Sequence, residues 1–108
     1  MSGNEPEHVF DEVQIGQGVK PLAQHGFVVV DRGTLALLGS QRQTIASAPM
    51  ASVSAKKSWI NLGQTLAVTI DGEKYNVTLG WGRSRSILKM RKNAATLLEL
   101  IRRGDGRP

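Results

Sequence analysis

The stretch Leu66–Leu79, LAVTIDGEKYNVTL, decides the fold of this chain, because its sequence is that of a β-hairpin. Asp71-Gly72 at its centre is favoured in two-residue type I′ turns, whose central residues both have positive φ. This loop length predicts three cross-strand pairs: Ile70 with Glu73, Val68 with Tyr75 and Leu66 with Val77. Side chains alternate between the faces of a strand, so the apolar residues of both arms share one face. The sequence therefore predicts a hairpin with one face ready for burial.

A second hairpin is predicted at Phe27–Leu38, FVVVDRGTLALL. β-Branched residues are dense here, which favours a strand over a helix. Gly33 can adopt the positive φ that a tight turn needs. A two-residue loop at Arg32-Gly33 predicts two pairs, Val28 with Leu37 and Val30 with Leu35. An isolated hairpin is marginal in water, so two hairpins with apolar faces imply a larger sheet.

Shorter β-segments are predicted on either side of the second hairpin. Val9–Val19 suits a short strand, although its first apolar residues would equally suit one helical turn. Pro21 and Gly26 are expected to bracket a connection. Gln43–Ala48 and Ala51–Lys56 are interpreted as two short strands, or as one strand bent at Pro49, because proline cannot donate to a ladder.

The C-terminal segment changes from two-fold to helical periodicity. Its apolar residues are spaced by three or four positions, as on one face of an amphipathic helix: Ile87, Met90, Ala94, Leu97 and Ile101. Ser84 or Ser86 can cap the start of this helix, and Gly104 can cap its end. The alternative is a final strand at Ile87–Arg91 followed by a shorter helix that Asn93 caps. The long helix is favoured, because the apolar stripe continues through Asn93 without a break.

The length of 108 residues suits one domain. We expect a disordered acidic arm at residues 1–8, a folded domain at 9–103 and a disordered tail at 104–108. The chain contains no cysteine, which excludes disulfides and thiolate metal sites. No apolar run approaches the ~18 residues that span a bilayer, and the polar, acidic N-terminus is neither a secretory signal nor a basic transit peptide. These features predict a cytoplasmic protein.

The net charge of +5 is divided unevenly along the chain. The first 12 residues hold four acidic residues and no Lys or Arg, which leaves +9 for the remainder. The segment from Arg83 to the end carries +6. Such asymmetry permits an anionic partner, which would be nucleic acid, an anionic lipid surface or an acidic protein. The alternative is a basic surface that is only solvated, or one that the acidic arm covers.

The candidate anion-binding residues are basic residues near the two tryptophans: Arg83, Arg85, Lys89, Lys56 and Lys57, with Trp59 and Trp81 as aromatic contacts. The first three lie near the predicted helix start, where the helix dipole disfavours cations, so a bound anion would explain their position. Tryptophan beside Lys or Arg suits base stacking or a membrane interface. Alternatively, each tryptophan closes one end of a small core. Arg103 differs from this group, because Glu99 can pair with it at i+4.

No motif in the sequence indicates catalysis. His8 and His25 are expected in or near loops, without a nucleophile elbow or a second histidine at metal-ligand spacing. Gly16-Gln17-Gly18 and Gly80-Trp81-Gly82 are fragments of a phosphate loop that lack the third glycine. We therefore expect no enzyme activity, no cofactor, no metal and no small-molecule substrate.

Antiparallel strands followed by one striped helix predict a mainly β fold, an open barrel that the helix caps. This arrangement resembles the bacterial pleckstrin-homology-like (PH-like) and GRAM-like domains. The likeness is carried by His25–Gly39, Ile45–Lys56, Leu66–Leu79 and the terminal helix. It implies a barrel of about six or seven antiparallel strands without a catalytic centre. Lipid-binding members place several basic residues around the first hairpin loop, which is assigned here to residues 30–34 and offers only Arg32.

Two functional hypotheses follow, and a third, an unrecognised small-molecule enzyme, would need a deep pocket that contains His25 and a carboxylate. The first is a binding or assembly module for a protein partner or a second copy, which would use an exposed strand edge or the helix stripe. The second is recognition of nucleic acid or an acidic membrane surface through the candidate anion-binding residues. Under the second hypothesis the protein would be cytoplasmic and peripheral to a membrane.

Overall fold

The computed structural model describes residues 8–57, 65–79 and 87–103, and within the helix it describes side chains from Ala94 onward. The elements in chain order are β1 (His8–Gln17), β2 (Lys20–Asp31), β3 (Thr34–Leu38), β4 (Thr44–Pro49), a 3₁₀ turn (Met50–Ser52), β5 (Val53–Lys57), β6 (Thr65–Ile70), β7 (Glu73–Thr78) and α1 (Ile87–Arg102). All strand pairs are antiparallel, so the expected mainly β fold with one C-terminal helix is confirmed.

The seven strands form one open sheet in the order β4-β3-β2-β1-β7-β6-β5. The first strand therefore lies at the centre, where it pairs with both β2 and β7. The chain passes from β4 at one edge to β5 at the other through the 3₁₀ turn alone. Of the two predictions for this region, two short strands are confirmed.

The hairpin of β6 and β7 has the predicted register. Ile70 pairs with Glu73, and the two pairs below it also form as expected. Asp71 has φ 51° and Gly72 has φ 83°, which agrees with a type I′ turn. The shared apolar face is buried, and none of its four side chains is more than 8% exposed.

The hairpin of β2 and β3 is also confirmed. Val28 pairs with Leu37 and Val30 with Leu35 around the Arg32-Gly33 loop. All four of these side chains lie in the core, because their common face points into the molecule.

The expected connection at Pro21 and Gly26 is wrong, because both residues lie inside the continuous strand β2. The reversal occurs earlier, at Gly18-Val19, where only Gly18 has positive φ, as in a type II′ turn. Pro21 is tolerated because it stands near the start of β2, beyond the residues that pair with β3. Gly26 is required because a Cβ there would collide with the carbonyl oxygen of Leu38. The first hairpin loop is therefore Gly18-Val19, and not residues 30–34.

The first apolar segment forms the strand β1 and not a helical turn. Phe10 pairs with Val28 and Val13 with Gly26, so two residues of β1 oppose one residue of β2. This β-bulge contains Glu12, whose φ is 53°. Further register shifts follow along the same pair of strands, and they bend the sheet where it carries the first hairpin.

Helix α1 confirms the long-helix prediction over the alternative of a final strand. Of its described apolar side chains Ala95 is exposed, whereas five are buried: Ala94, Leu97, Leu98, Leu100 and Ile101. The helix packs chiefly on β5 and also contacts β6. Glu99 and Arg103 form the expected i,i+4 pair, with 3.2 Å between Oε2 and Nε. The proposed caps Ser84, Ser86 and Gly104 lie outside the described residues, as do the side chains of Ile87 and Met90.

Among the residues that the structure describes, no helix combines the length and hydrophobicity needed to cross a bilayer.

Candidate functional site

Most of the predicted anion-binding residues lie outside the described part of the chain. Arg83, Arg85, Trp59 and Trp81 are in the segments 58–64 and 80–86. Lys89 lies in the first turn of α1, but its side chain is not described. A joint site for these residues therefore stays a prediction.

Lys56 and Lys57 are the last two residues of β5, and both are exposed. Adjacent residues of a strand point to opposite faces, so the two ammonium groups leave β5 on different sides. Val53 is four residues before Lys57, on the same face of β5, and it is buried in the core. The strand therefore exposes both lysines but does not bring them together on one face.

His25 lies in strand β2, so the expectation that it is a loop residue is wrong. Its Nδ1 is 2.9 Å from Oε1 of Glu12, which the bulge in β1 presents. The backbone N–H of His25 donates to Oγ of Ser40 at 3.4 Å, so this hydroxyl is engaged by the backbone and not by the imidazole. The His25 side chain is 59% exposed, which places the pair on the surface and not in a catalytic cleft. Sequence reasoning could not find this pair, because the bulge depends on the register of two distant strands.

In the described ranges, no group of three or more His, Cys, Asp or Glu residues is placed to hold a metal ion.

A groove of about 360 Å³ lies on the outer side of the sheet, where the first hairpin meets β7 and β6. We call it the Gly16 groove, and its lining residues are Gln14, Ile15, Gly16, Gly18, Val19, Lys20, Pro21, Thr65, Asn76 and Thr78. Its volume is within the range of small-ligand sites, about 300 to 1,000 Å³. Sequence reasoning missed it, since its residues come from three parts of the chain.

Strand register explains the shape of the Gly16 groove. Gln14 lies opposite Thr78, and Gly16 lies opposite Asn76. Because it is a glycine, Gly16 contributes no side chain to the groove beside Asn76. Thr65 lies opposite Thr78, and their hydroxyl oxygens are 2.8 Å apart in a buried hydrogen bond. The floor of the groove is thus held by a polar contact between neighbouring strands.

The β4 edge is a second feature of the described surface, and we define it as the backbone of Thr44–Pro49 that faces away from β3. Among the described strands, β4 pairs only with β3. The N–H of Met50 donates to the carbonyl oxygen of Gly33 at 2.7 Å, which identifies Thr34 and Pro49 as a pair without mutual hydrogen bonds. Pro49 and, by alternation, Ser47 therefore direct their backbone groups outward.

The tip of the first hairpin exposes an apolar side chain. Val19 is fully exposed, although valine has no turn preference that would explain its place. It stands between Gly18 and Lys20, so an aliphatic group and a cation occupy the same tip.

Comparison with solved structures identifies the fold as that of a PH domain. The solution structure of the PH domain of human oxysterol binding protein-related protein 11 is 16% identical and has a TM-score of 0.61, with 98% of this chain and 88% of that chain covered. The pleckstrin homology domain of mouse ethanol decreased 4 protein is 11% identical and has a TM-score of 0.64, with coverage of 97% and 93%. The PH domain from PfAPH is 14% identical with a TM-score of 0.53, and the coverage is 85% and 82%.

The sequence itself matches no family model and no curated protein. At these identities the structural likeness establishes the fold alone. The PH-like part of the resemblance is confirmed, whereas its bacterial and GRAM-like parts stay predictions.

Proposed function

We propose that this chain is a non-enzymatic binding module that engages an extended segment of a protein partner along the β4 edge. One observation carries the proposal: the outward backbone of β4 pairs with no other strand of the described sheet. A protein segment that added a strand there would satisfy these groups with main-chain hydrogen bonds. A second copy of the chain is the simplest source of such a segment.

The composition of β4 supports this use. The strand TIASAP contains no charged residue, so it lacks the lysines by which many edge strands repel a partner. Pro49 shortens the usable edge, because it offers an acceptor but no donor. The other surface first considered for assembly is the apolar stripe of α1, whose described members Ala94, Leu97 and Ile101 are buried in the core.

The test uses two substitutions at Ser47 that differ in the backbone. Ser47→Pro removes an N–H that points outward, so the pairing of β4 with β3 is retained. Ser47→Ala removes only the hydroxyl group and serves as the matched control. Sedimentation equilibrium over a wide concentration range should show an oligomer for the native chain and for Ser47→Ala, and a monomer for Ser47→Pro.

If the native chain is monomeric, an affinity capture that compares the same three proteins replaces the first readout. The proposal requires a captured protein that Ser47→Pro loses and Ser47→Ala keeps. A monomer whose captured proteins are identical for all three variants would contradict the proposal.

As an alternative we propose recognition of an acidic membrane surface, which Val19 beside Lys20 at the hairpin tip supports. An exposed aliphatic group next to a cation suits the boundary between lipid and water. The two lysines at the end of β5 and the net charge of +5 add to this attraction. On this proposal the protein is cytoplasmic and peripheral to a membrane; nucleic acid is the other anionic partner to be tested.

Vesicles with and without phosphatidylserine test the alternative. Binding should require the anionic lipid, weaken with salt, and fall at least several-fold with Val19→Asp. Lys74→Glu, on the exposed part of β7, should have a smaller effect. Equal binding to both kinds of vesicle, or none at low salt, would eliminate this proposal, and DNA or RNA titrated in parallel tests the other polyanions.

A further inference from the structure

We propose that the Gly16 groove binds a short peptide end that carries one carboxylate, at a site separate from the β4 edge. The groove lies over β1, β7 and the first residues of β2 and β6, and β3 separates it from β4 in the sheet. The occupant is thus a second peptide ligand or a second part of the same partner.

The side chains of the groove suit a peptide backbone. Gln14 and Asn76 each offer a carbonyl oxygen and an NH₂ group, so they can accept and donate at once. A peptide unit needs this combination, because its N–H donates and its C=O accepts. Gln14 is half-buried beside Thr78, whereas Asn76 is exposed, so the two amides meet a ligand at different depths.

The charge of the groove favours one carboxylate over a polyphosphate. Among the described residues that line the groove, Lys20 is the one that carries a charge. A group with several phosphates would be held best by more than one cation, because charge-assisted hydrogen bonds are the strong ones. The nearby carboxylate of Glu73 accepts from Nε2 of Gln17 at 2.7 Å, and Gln17 does not line the groove.

The rim of the groove suits an apolar side chain next to that carboxylate. Val19 and Pro21, which are both exposed, line the groove from the first hairpin. A peptide end with an aliphatic residue would cover part of Val19, whose full exposure nothing else in the described structure relieves. The backbone amides of the peptide then meet Gln14 and Asn76, its carboxylate meets Lys20, and its apolar side chain meets Val19.

A peptide selection tests this proposal on the full chain. Random heptapeptides are displayed once with free C-termini and once through their C-termini, and only the first format should be enriched. An enriched sequence is then synthesised as the acid and as the C-terminal amide. The acid should bind at least about ten-fold more tightly, because a hydrogen bond to a charged group is among the stronger ones. Backbone amide resonances of Gly16, Gly18 and Asn76 should shift on binding.

Matched variants identify the groups responsible. Lys20→Gln should abolish the preference for the acid, whereas Lys74→Gln, with the same charge change outside the groove, should keep it. Asn76→Ala should weaken acid and amide alike, since it removes contacts to the peptide backbone. Ser47→Pro should leave this binding unchanged, which separates failure here from failure at the β4 edge.

Three results would overturn the proposal. They are equal affinity for acid and amide, resonance shifts confined to β4, and displacement of the peptide by inositol hexakisphosphate at a concentration at which acetate has no effect. The last would assign the groove to phosphate groups.

Discussion

At the scale of single residues, the sheet depends on backbone conformations that L-residues rarely adopt. Asp71 and Arg32 each occupy the first position of a two-residue turn and have φ values of 51° and 52°. A type I′ turn needs positive φ there, and short polar residues tolerate it best. Glu12 is different, because its φ of 53° belongs to a bulge inside a strand. A glutamate in this conformation is under steric strain.

The Glu12→Gly variant of the protein should therefore be more stable than the Glu12→Ala variant. Both substitutions remove the contact with His25, so the comparison isolates the backbone. Because alanine is strained at positive φ, we expect Glu12→Gly to exceed Glu12→Ala by about 1 kcal/mol in free energy of unfolding, measured in urea.

Ser54 in β5 serves as the control, because its φ is not positive. There we expect Ser54→Gly to have a lower free energy of unfolding than Ser54→Ala, by about 0.5–1 kcal/mol. The same order of stability at both positions would show that Glu12 does not adopt the left-handed conformation in solution.

At the scale of elements, the sequence predicts what local chemistry determines. The predicted registers of the β2–β3 and β6–β7 hairpins are confirmed, because loop length and turn residues fix the pairing within a few positions. The first hairpin was missed, because Pro21 and Gly26 are breakers on local grounds. Pro21 is tolerated because it pairs with β1 but lies beyond the residues of β2 that pair with β3. Gly26 is needed because the carbonyl oxygen of Leu38 approaches it closely. Neither reason is visible before the sheet is assembled.

The burial of α1 predicts a large difference between its two faces. Leu97 is 1% exposed against the sheet, so Leu97→Ala should lower the free energy of unfolding by about 2–5 kcal/mol. Glu99→Ala on the other face removes only a solvent-screened pair with Arg103 and should cost at most about 0.5 kcal/mol.

Urea denaturation monitored by circular dichroism measures both effects. A loss below about 1 kcal/mol for Leu97→Ala would mean that the helix does not cover the core as described.

At the scale of the whole molecule, the topology could not be predicted from local pattern. The chain passes from one edge of the sheet to the other at Met50–Ser52, and the sequence of these residues does not indicate that change. The Gly16 groove was missed for the same reason, since its lining residues come from three separate parts of the chain. Of the predicted anion-binding residues, only Lys56 and Lys57 lie where their side chains are described, and they diverge. The residues that line the Gly16 groove can be read from the sequence, but the pairing of β1 with β7 that brings them together cannot.

That same pairing should be the late step of folding. Ile15 pairs with Val77 across most of the chain, whereas Val68 and Tyr75 are joined by a short hairpin. Closing a long loop costs more entropy than closing a short one, so the hairpin should be formed in the transition state before β1 docks. In stopped-flow measurements, Val68→Ala should therefore slow folding, and Ile15→Val should chiefly accelerate unfolding. Both side chains are at most 1% exposed, so each substitution removes core contacts. The opposite pattern, with slower folding for Ile15→Val and faster unfolding for Val68→Ala, would place the central strand in the folding nucleus.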